Sequence, residues 1–500
     1  MSAKDKIIKS LFEEAQRLSK KNITSLIKED NLRSEVFSVK FKEDIYYDFS
    51  RQLISKQALD GLIDLLNINK YQQRVDKLFS GAHVNYSEDR PALHSLLREQ
   101  DAFDSSHPLY LLQTKVNNEL QKINNFSESV RSGQFIGVTG KIIKHLLVIG
   151  IGGSSLGIKF IYESLRATNT EIRITFLTVP NRRSIEEAIL NHCLEETLVI
   201  MISKSFKTTE TLLIGRYLQG IYEEELGSKS VFHHFLGISA NKNGLDEFGI
   251  CPDHQFYLWD WVGGRYSIWS AVGLPIAIVF GFNAFQQMLK GGYDMDQHFK
   301  LAEPKKNLPL LLGLIGIWNA GFLNKPSKSI LTYDYELRYL VNYCQQLVME
   351  SNGKLVEKDA GIKQVAPIIW GGNGIEGQHS FFQAIHQGQI DSDYEFIVCL
   401  ENKEETFDVF KSANCYAQIQ VLLDGNTNRV QDFIEGNKAS SILTLKNISP
   451  YALGLLLACY EHSVFIQSVV ANINPFDQPG VEEGKKIAEA SIKSRASQHS

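Results

Sequence analysis

The chain has 500 residues, more than one compact core holds, so two or three domains are expected. Apolar and charged fractions of 43% and 22% are those of a soluble globular protein, which argues against a membrane protein. A formal net charge of −5, with no long basic run, leaves no footprint for nucleic acid or for an anionic membrane surface.

The first residues, Met1-Ser2-Ala3-Lys4-Asp5-Lys6, are charged and lack the apolar core of a signal peptide. Ile7, Ile8, Leu11 and Phe12 then fall at helical spacing, and residues 1–105 read as a mostly helical region. Within the next expected domain, 106–290, the texture changes from about 144. Short β-branched runs at Leu146–Ile149, Ile172–Val179, Leu198–Ile202 and Phe235–Ile238 are separated by stretches of helix length. A second series, at Ile330–Thr332, Pro367–Trp370, Phe396–Leu400 and Ile442–Leu445, occupies 291–500. Continuous apolar strands alternating with helices mean parallel sheets covered on both faces. The predicted fold class is therefore α/β: two three-layer α/β/α domains, a helical N-terminal region and a polar C-terminal helical tail that frays at 494–500. The apolar stretches around 271–285 and 308–323 are interrupted by Pro275, Asn283 and Asn319. They fall short of the roughly 20 residues of a membrane span and read as buried core. Cys193, Cys251, Cys344, Cys399, Cys415 and Cys459 contain no Cys-x-x-Cys pair, which fits reduced thiols in a cytoplasmic protein.

Several segments carry chemistry. The first strand runs into Gly150-Ile151-Gly152-Gly153-Ser154-Ser155-Leu156-Gly157, a glycine turn that can aim amide N–H groups at an anion. A dinucleotide fingerprint is disfavoured, because Ser155 stands at the third glycine position and the next strand ends in Val179-Pro180-Asn181 without a carboxylate. After the third strand come Ser203-Lys204-Ser205-Phe206-Lys207-Thr208-Thr209-Glu210, hydroxyls and ammonium groups at a strand's carboxyl end. With the glycine turn they make a cradle for a monophosphate; no P-loop pattern is present. In Gly263-Gly264-Arg265-Tyr266-Ser267, the glycines let backbone approach a ligand while Arg265 faces a phosphate or a developing oxyanion.

Glu350 lies at the end of a predicted helix stopped by Gly353. The dipole there disfavours negative charge by about 0.3–1 kcal/mol, a placement that suits a proton acceptor better than a structural carboxylate. Downstream, Trp370-Gly371-Gly372-Asn373-Gly374 leads into a predicted short helix near Gln378 that puts His379 and His386 on one face, too far apart for an i, i+4 metal pair. For His379 a role as a satisfied core residue is as good as any functional one. Finally, Asn474-Pro475-Phe476-Asp477-Gln478-Pro479-Gly480 is a turn, with a helix opening near Val481 that carries Lys485 and Lys486.

These segments, in this order, resemble the glucose-6-phosphate isomerase family: Gly263 to Pro275, Met349-Glu350-Ser351-Asn352-Gly353-Lys354, the 370–388 and 474–486 stretches, and the two phosphate loops. Gly81-Ala82-His83-Val84-Asn85-Tyr86-Ser87-Glu88-Asp89-Arg90-Pro91-Ala92-Leu93-His94 resembles an N-terminal segment of the same family. The resemblance implies two sugar-isomerase-type domains and reversible conversion of glucose 6-phosphate to fructose 6-phosphate through a cis-enediolate. It implies a phosphate held by Ser154, Ser203, Ser205 and Thr208 with Gly153 and Lys204, and a sugar contacted by Gln346 and Gln478. Glu350 would be the base and Arg265 the cation beside the enediolate, while His386 and Lys485 move protons during ring opening. His386 would come from the neighbouring subunit of a homodimer, and no metal or nicotinamide cofactor is implied. A non-catalytic sugar-phosphate sensor is the alternative of a different class; it needs the cradle but not Glu350, Arg265, His386 and Lys485 together. Activity on mannose 6-phosphate stays open.

Overall fold

The computed structural model describes residues 1–166, 170–357, 360–389, 391–400, 405–426 and 433–498. Eleven strands among them form two sheets: β1 (Ser38–Phe41), β2 (Ile45–Asp48), β3 (His145–Ile149), β4 (Arg173–Leu177), β5 (Thr197–Ile202), β6 (Phe235–Ser239), β7 (Gln255–Tyr257), β8 (Ser327–Thr332), β9 (Ile368–Asn373), β10 (Asp393–Cys399) and β11 (Ser440–Leu445).

The first sheet is wholly parallel, in the order β4-β3-β5-β6-β7. Its apolar runs work on both faces, because alternate residues of a strand point opposite ways. Leu146, Val148, Leu198, Ile200 and Leu236 enter the main core, whereas Leu147, Ile149, Val199, Met201 and Phe235 pack under the helices of the other face. The second sheet runs β1-β2-β11-β10-β8-β9, and β8 to β11 are parallel. The same division places Ile330, Ile397 and Leu443 in the main core and Leu331, Phe396 and Val398 in a separate cluster. The predicted α/β class with two covered parallel sheets is what is found.

The N-terminal region is not helical throughout. Strands β1 and β2 form a hairpin whose second strand pairs antiparallel with β11, Ile45 opposite Leu445 and Asp48 opposite Ile442. The strands are only four residues long, and Lys42 at the turn has a φ of 50°. Local pattern alone does not separate them from loop, since a sheet edge nearly 400 residues away in the chain is what holds them.

The helix Pro450–Ala471 has the length and mean hydropathy (1.4) of a membrane span, yet its residues from Ala452 to Ala471 are all buried inside the protein. It crosses the helix Phe282–Leu301 at close range. A Cβ on Gly291 would collide with the Tyr451 carbonyl, and one on Gly454 with the Met288 carbonyl, so only glycine lets the two backbones approach this far. Glu461 and His462 ride into the core on this helix and are paired there. The fully buried Arg98 donates to Asp296 at 2.7 and 2.8 Å and to Glu461 at 2.7 Å; His462 Nε2 lies 2.6 Å from Asp296. Trp269 Nε1 donates to the other Glu461 oxygen at 2.7 Å, which ties the short Gly264–Trp269 turn, and with it Arg265, to the centre of the molecule. At the other end, the helix Glu482–Gln498 continues through most of the stretch expected to fray; residues 499 and 500 lie outside the described residues.

Candidate active site

In an open parallel sheet a ligand crevice opens where the strand order reverses, outside the carboxyl ends of the strands. In the first sheet that point lies between β3 and β5. A cavity of about 600 Å³ opens there, lined by Ser154, Ser203, Lys204, Ser205, Thr208, Gly264, Glu350, Gln478 and Lys485 among others.

Each wall follows from local sequence. After β3, Gly152 takes a φ of 58° in a 3₁₀ turn, and the helix Leu156–Leu165 begins. Gly153 is pressed against the Gly264–Arg265 backbone, where a Cβ would collide with the Gly264 carbonyl; Ser267 Oγ also donates to the Gly153 carbonyl at 3.3 Å. Glycine here brings the two loops into contact. Ser155 is buried and donates to the Gly152 carbonyl at 3.3 Å, which leaves Ser154 as the hydroxyl facing the cavity. In the second loop, Ser203 and Thr208 share a hydrogen bond of 2.9 Å, and Ser205 Oγ accepts from the Lys207 N–H at 3.2 Å. Thr208 precedes the helix Thr209–Leu226 without capping it, so the first N–H groups of that helix have no side-chain partner. Such groups suit an anion. Gln346 stands against Gly152 from the other side.

Lys204, expected to help hold the phosphate, lines the cavity and also braces the protein. Its ammonium donates to the carbonyls of Asp260 and Val262 at 2.6 and 2.9 Å, bracing the loop that leads into Gly263. Burial, and then the nearby Arg90, pushes its pKa below the ordinary lysine value.

Glu350 occupies the last turn of the helix Leu340–Asn352, which stops at Gly353 as the sequence indicates. Its Oε1 is 3.5 Å from Arg265 Nη1, and its Oε2 is buried with no hydrogen-bond partner. The rest of the guanidinium is held by protein: Nε donates to Ser351 Oγ at 2.6 Å, Nη2 to the carbonyls of Pro475 and Asp477 at 2.6 and 3.0 Å, and Nη1 to Gln478 Oε1 at 3.0 Å. A carboxylate with a free oxygen, beside a fixed cation and opposite a hydroxyl-lined cradle, is suited to moving a proton while stabilising the oxyanion that results.

A model of the phosphoglucose isomerase family matches residues 48–500. The chain belongs to the phosphoglucose isomerase family. Curated relatives of this family include the glucose-6-phosphate isomerase of Acinetobacter venetianus, 38% identical over 497 residues that cover 93% of this chain and 89% of the relative. That of Hydrogenovibrio crunogenus is 38% identical over 489 residues, 92% of this chain and 89% of the relative. Among solved structures, a glucose-6-phosphate isomerase from Chlamydia trachomatis superposes with a TM-score of 0.88 at 29% identity, covering 98% of this chain and 96% of that one.

Two residues of the phosphoglucose isomerase pattern stand apart from the cavity centre. Lys485 is at its rim, exposed, with its ammonium 2.8 Å from Glu482. His386 does not line the cavity of its own chain. Its Nε2 is 2.7 Å from Gln418 Oε1, its Nδ1 is buried without a partner, and burial pushes its pKa below the ordinary histidine value. The helical face expected to join His379 to His386 does not exist. Gly374–Gln378 and Phe382–Gln387 are separate short helices, Gln378 ends the first rather than opening it, and His379 is exposed in the break.

Other contributors were not singled out from sequence. Glu88 and Arg90 line the cavity, and Arg90 donates to the Asp260 carbonyl at 3.1 Å. Asn85 accepts from Asn474 Nδ2 at 2.8 Å, while Lys354 donates to Asp477 Oδ1 at 2.5 Å and to the Asp477 carbonyl at 2.9 Å. These bonds hold the 474–478 turn against Arg265. The signal available was the 81–94 segment, whose resemblance to the family marked a region without indicating where it would lie.

Proposed function

We propose that the protein interconverts glucose 6-phosphate and fructose 6-phosphate, the isomerisation used in glycolysis and gluconeogenesis, by shuttling one proton between C2 and C1. The carrying observation is the pairing of Glu350 with Arg265: one carboxylate oxygen 3.5 Å from a clamped guanidinium and the other oxygen free, at the edge of a hydroxyl-lined cavity. The phosphate rests on Ser154, Ser203, Ser205 and Thr208 with the Gly153 backbone, and Lys204 keeps the facing loop in place. Gln478 contacts the sugar, and Gln346 stands behind the glycine turn. Glu350 takes the proton from C2 of the open-chain aldose and returns it to C1. The cis-enediolate formed between those steps carries negative charge on its oxygens, which Arg265 offsets, a contribution commonly of about 3 kcal/mol. The reaction moves a hydrogen within one molecule, so it needs no external oxidant or reductant.

Lys485 and His386 serve the opening of the sugar ring, His386 being supplied by the neighbouring subunit of a homodimer. That it does not line the cavity of its own chain, and that its Nδ1 has no partner among the described residues, support that assignment. In this reading residues 106–290 bring the phosphate cradle, 291–500 bring the base, and 1–105 brace both. A reducing cytoplasm suits six cysteines that form no disulfide. The test is incubation with fructose 6-phosphate in tritiated water. Glucose 6-phosphate labelled at C2 should form, and Glu350→Gln should abolish the label while fructose 6-phosphate still binds. Unlabelled sugar and no glucose 6-phosphate from the folded wild-type protein would refute the proposal.

A further inference from the structure

An arginine side chain carries five N–H groups in a rigid fork. In Arg265 four are committed: one to Ser351, two to the Pro475 and Asp477 carbonyls, one to Gln478. The remaining N–H belongs to Nη1, the nitrogen that faces Glu350. Three of the four acceptors come from the 475–478 turn. Only Ser351 comes from the helix that bears Glu350, and it is the very next residue. Ser351 is fully buried and lines neither the cavity described above nor the adjoining one on the far side of Glu350. Because a guanidinium only donates, Ser351 Oγ must accept from Nε, and its second hydrogen bond is with the Tyr266 hydroxyl at 3.1 Å. Tyr266 is itself buried, stacked on His94 at 4.6 Å and packed on Phe476 at 5.7 Å.

We infer that Ser351, braced by Tyr266, is a positioning residue that locks the free N–H of Arg265 to the base, so that cation and carboxylate keep one geometry through the reaction. Ser351 touches no substrate and acts through Arg265. Without its oxygen, Nε–H has no acceptor in a closed site, the fork pivots on its contacts with the 475–478 turn, and Nη1 moves away from Glu350. A displacement near 1 Å costs on the order of a hundredfold in rate. The inference rests on the isomerase reading for its kinetic test but not for its structural one.

Ser351→Ala is expected to lower kcat about 10- to 100-fold with KM within about threefold, since the phosphate loops are untouched. In an Arg265→Lys background, which has no Nε donor, the same change should cost no more than about a further threefold. Multiplicative losses would mean that Ser351 acts by another route and would overturn the inference. Tyr266→Phe keeps the Ser351–Arg265 bond but removes its brace, and a kcat loss of about 3- to 10-fold is expected; it carries the cycle if Ser351→Ala does not fold, and an unchanged kcat would count against the bracing. A crystal structure of Ser351→Ala should show Nη1 displaced from Glu350, and an unmoved guanidinium would overturn the inference even if the wild-type protein proved inactive on fructose 6-phosphate.

Discussion

Arg265→Lys keeps the charge and removes the fork. Four protein acceptors from two separate segments converge on the guanidinium, with donor distances of 2.6 to 3.0 Å. An ammonium offers three donors from a single nitrogen, so at least one buried acceptor loses its partner, at about 1–3 kcal/mol of stability. The loss in rate follows from a different contact. The one uncommitted N–H sits on the nitrogen 3.5 Å from Glu350, and no lysine conformer supplies it while also satisfying the 475–478 turn. Losing one preorganised donor to a developing oxyanion costs about 2.7–4 kcal/mol, or 10²–10³ in kcat. The phosphate is held by separate loops, so KM should stay within about threefold. Steady-state kinetics in the fructose-to-glucose direction, by coupled assay, give both constants, and urea unfolding gives the stability term. A kcat within threefold of wild type, or a raised KM at constant kcat, would show that Arg265 binds ground state and transition state alike and would refute the reasoning.

Two further outcomes are expected. Gly153→Ala drives a methyl group into the Gly264 carbonyl and separates the phosphate loop from the Arg265 loop, so KM for fructose 6-phosphate should rise at least tenfold with kcat also reduced; unaltered kinetics would mean that the contact does not matter. Stability should fall on the acid side because of His298, whose neutral Nε2 accepts the Leu308 N–H at 3.1 Å and whose pKa burial lowers to about 4. With an unfolded value near 6.5, the unfolded chain binds the extra proton between those limits, so this contribution is intact above about pH 6.5 and is lost as pH falls toward 4. It amounts to at most about 2 kcal/mol between pH 7 and 5. Urea midpoints at the two pH values should converge in His298→Gln relative to wild type, and an identical pH slope in the variant would count against the assignment.

What could be read along the chain was whatever is encoded locally. The glycine turn after β3, the hydroxyl cluster after β5 and the helix end at Gly353 are each specified by residues within a few positions, through backbone freedom or unmade terminal hydrogen bonds. The longer parallel strands of both sheets were legible because burial on two faces demands unbroken apolar runs, whereas the three-residue β7 at the sheet edge was not. Local pattern failed where distant residues decide the outcome. The β1–β2 hairpin exists because β11 offers an unpaired edge. The helix Pro450–Ala471 is a core helix because other elements surround it, and its Glu461 is tolerable only because Arg98 and Trp269 meet it there. The orientation of Arg265 likewise depends on acceptors 86 and 210 to 213 positions away in the chain, which no spacing rule brings together. Chemistry was thus written in short segments. Their mutual geometry came from long-range packing, because a buried charge or an open sheet edge is stabilised only by groups that folding brings from elsewhere.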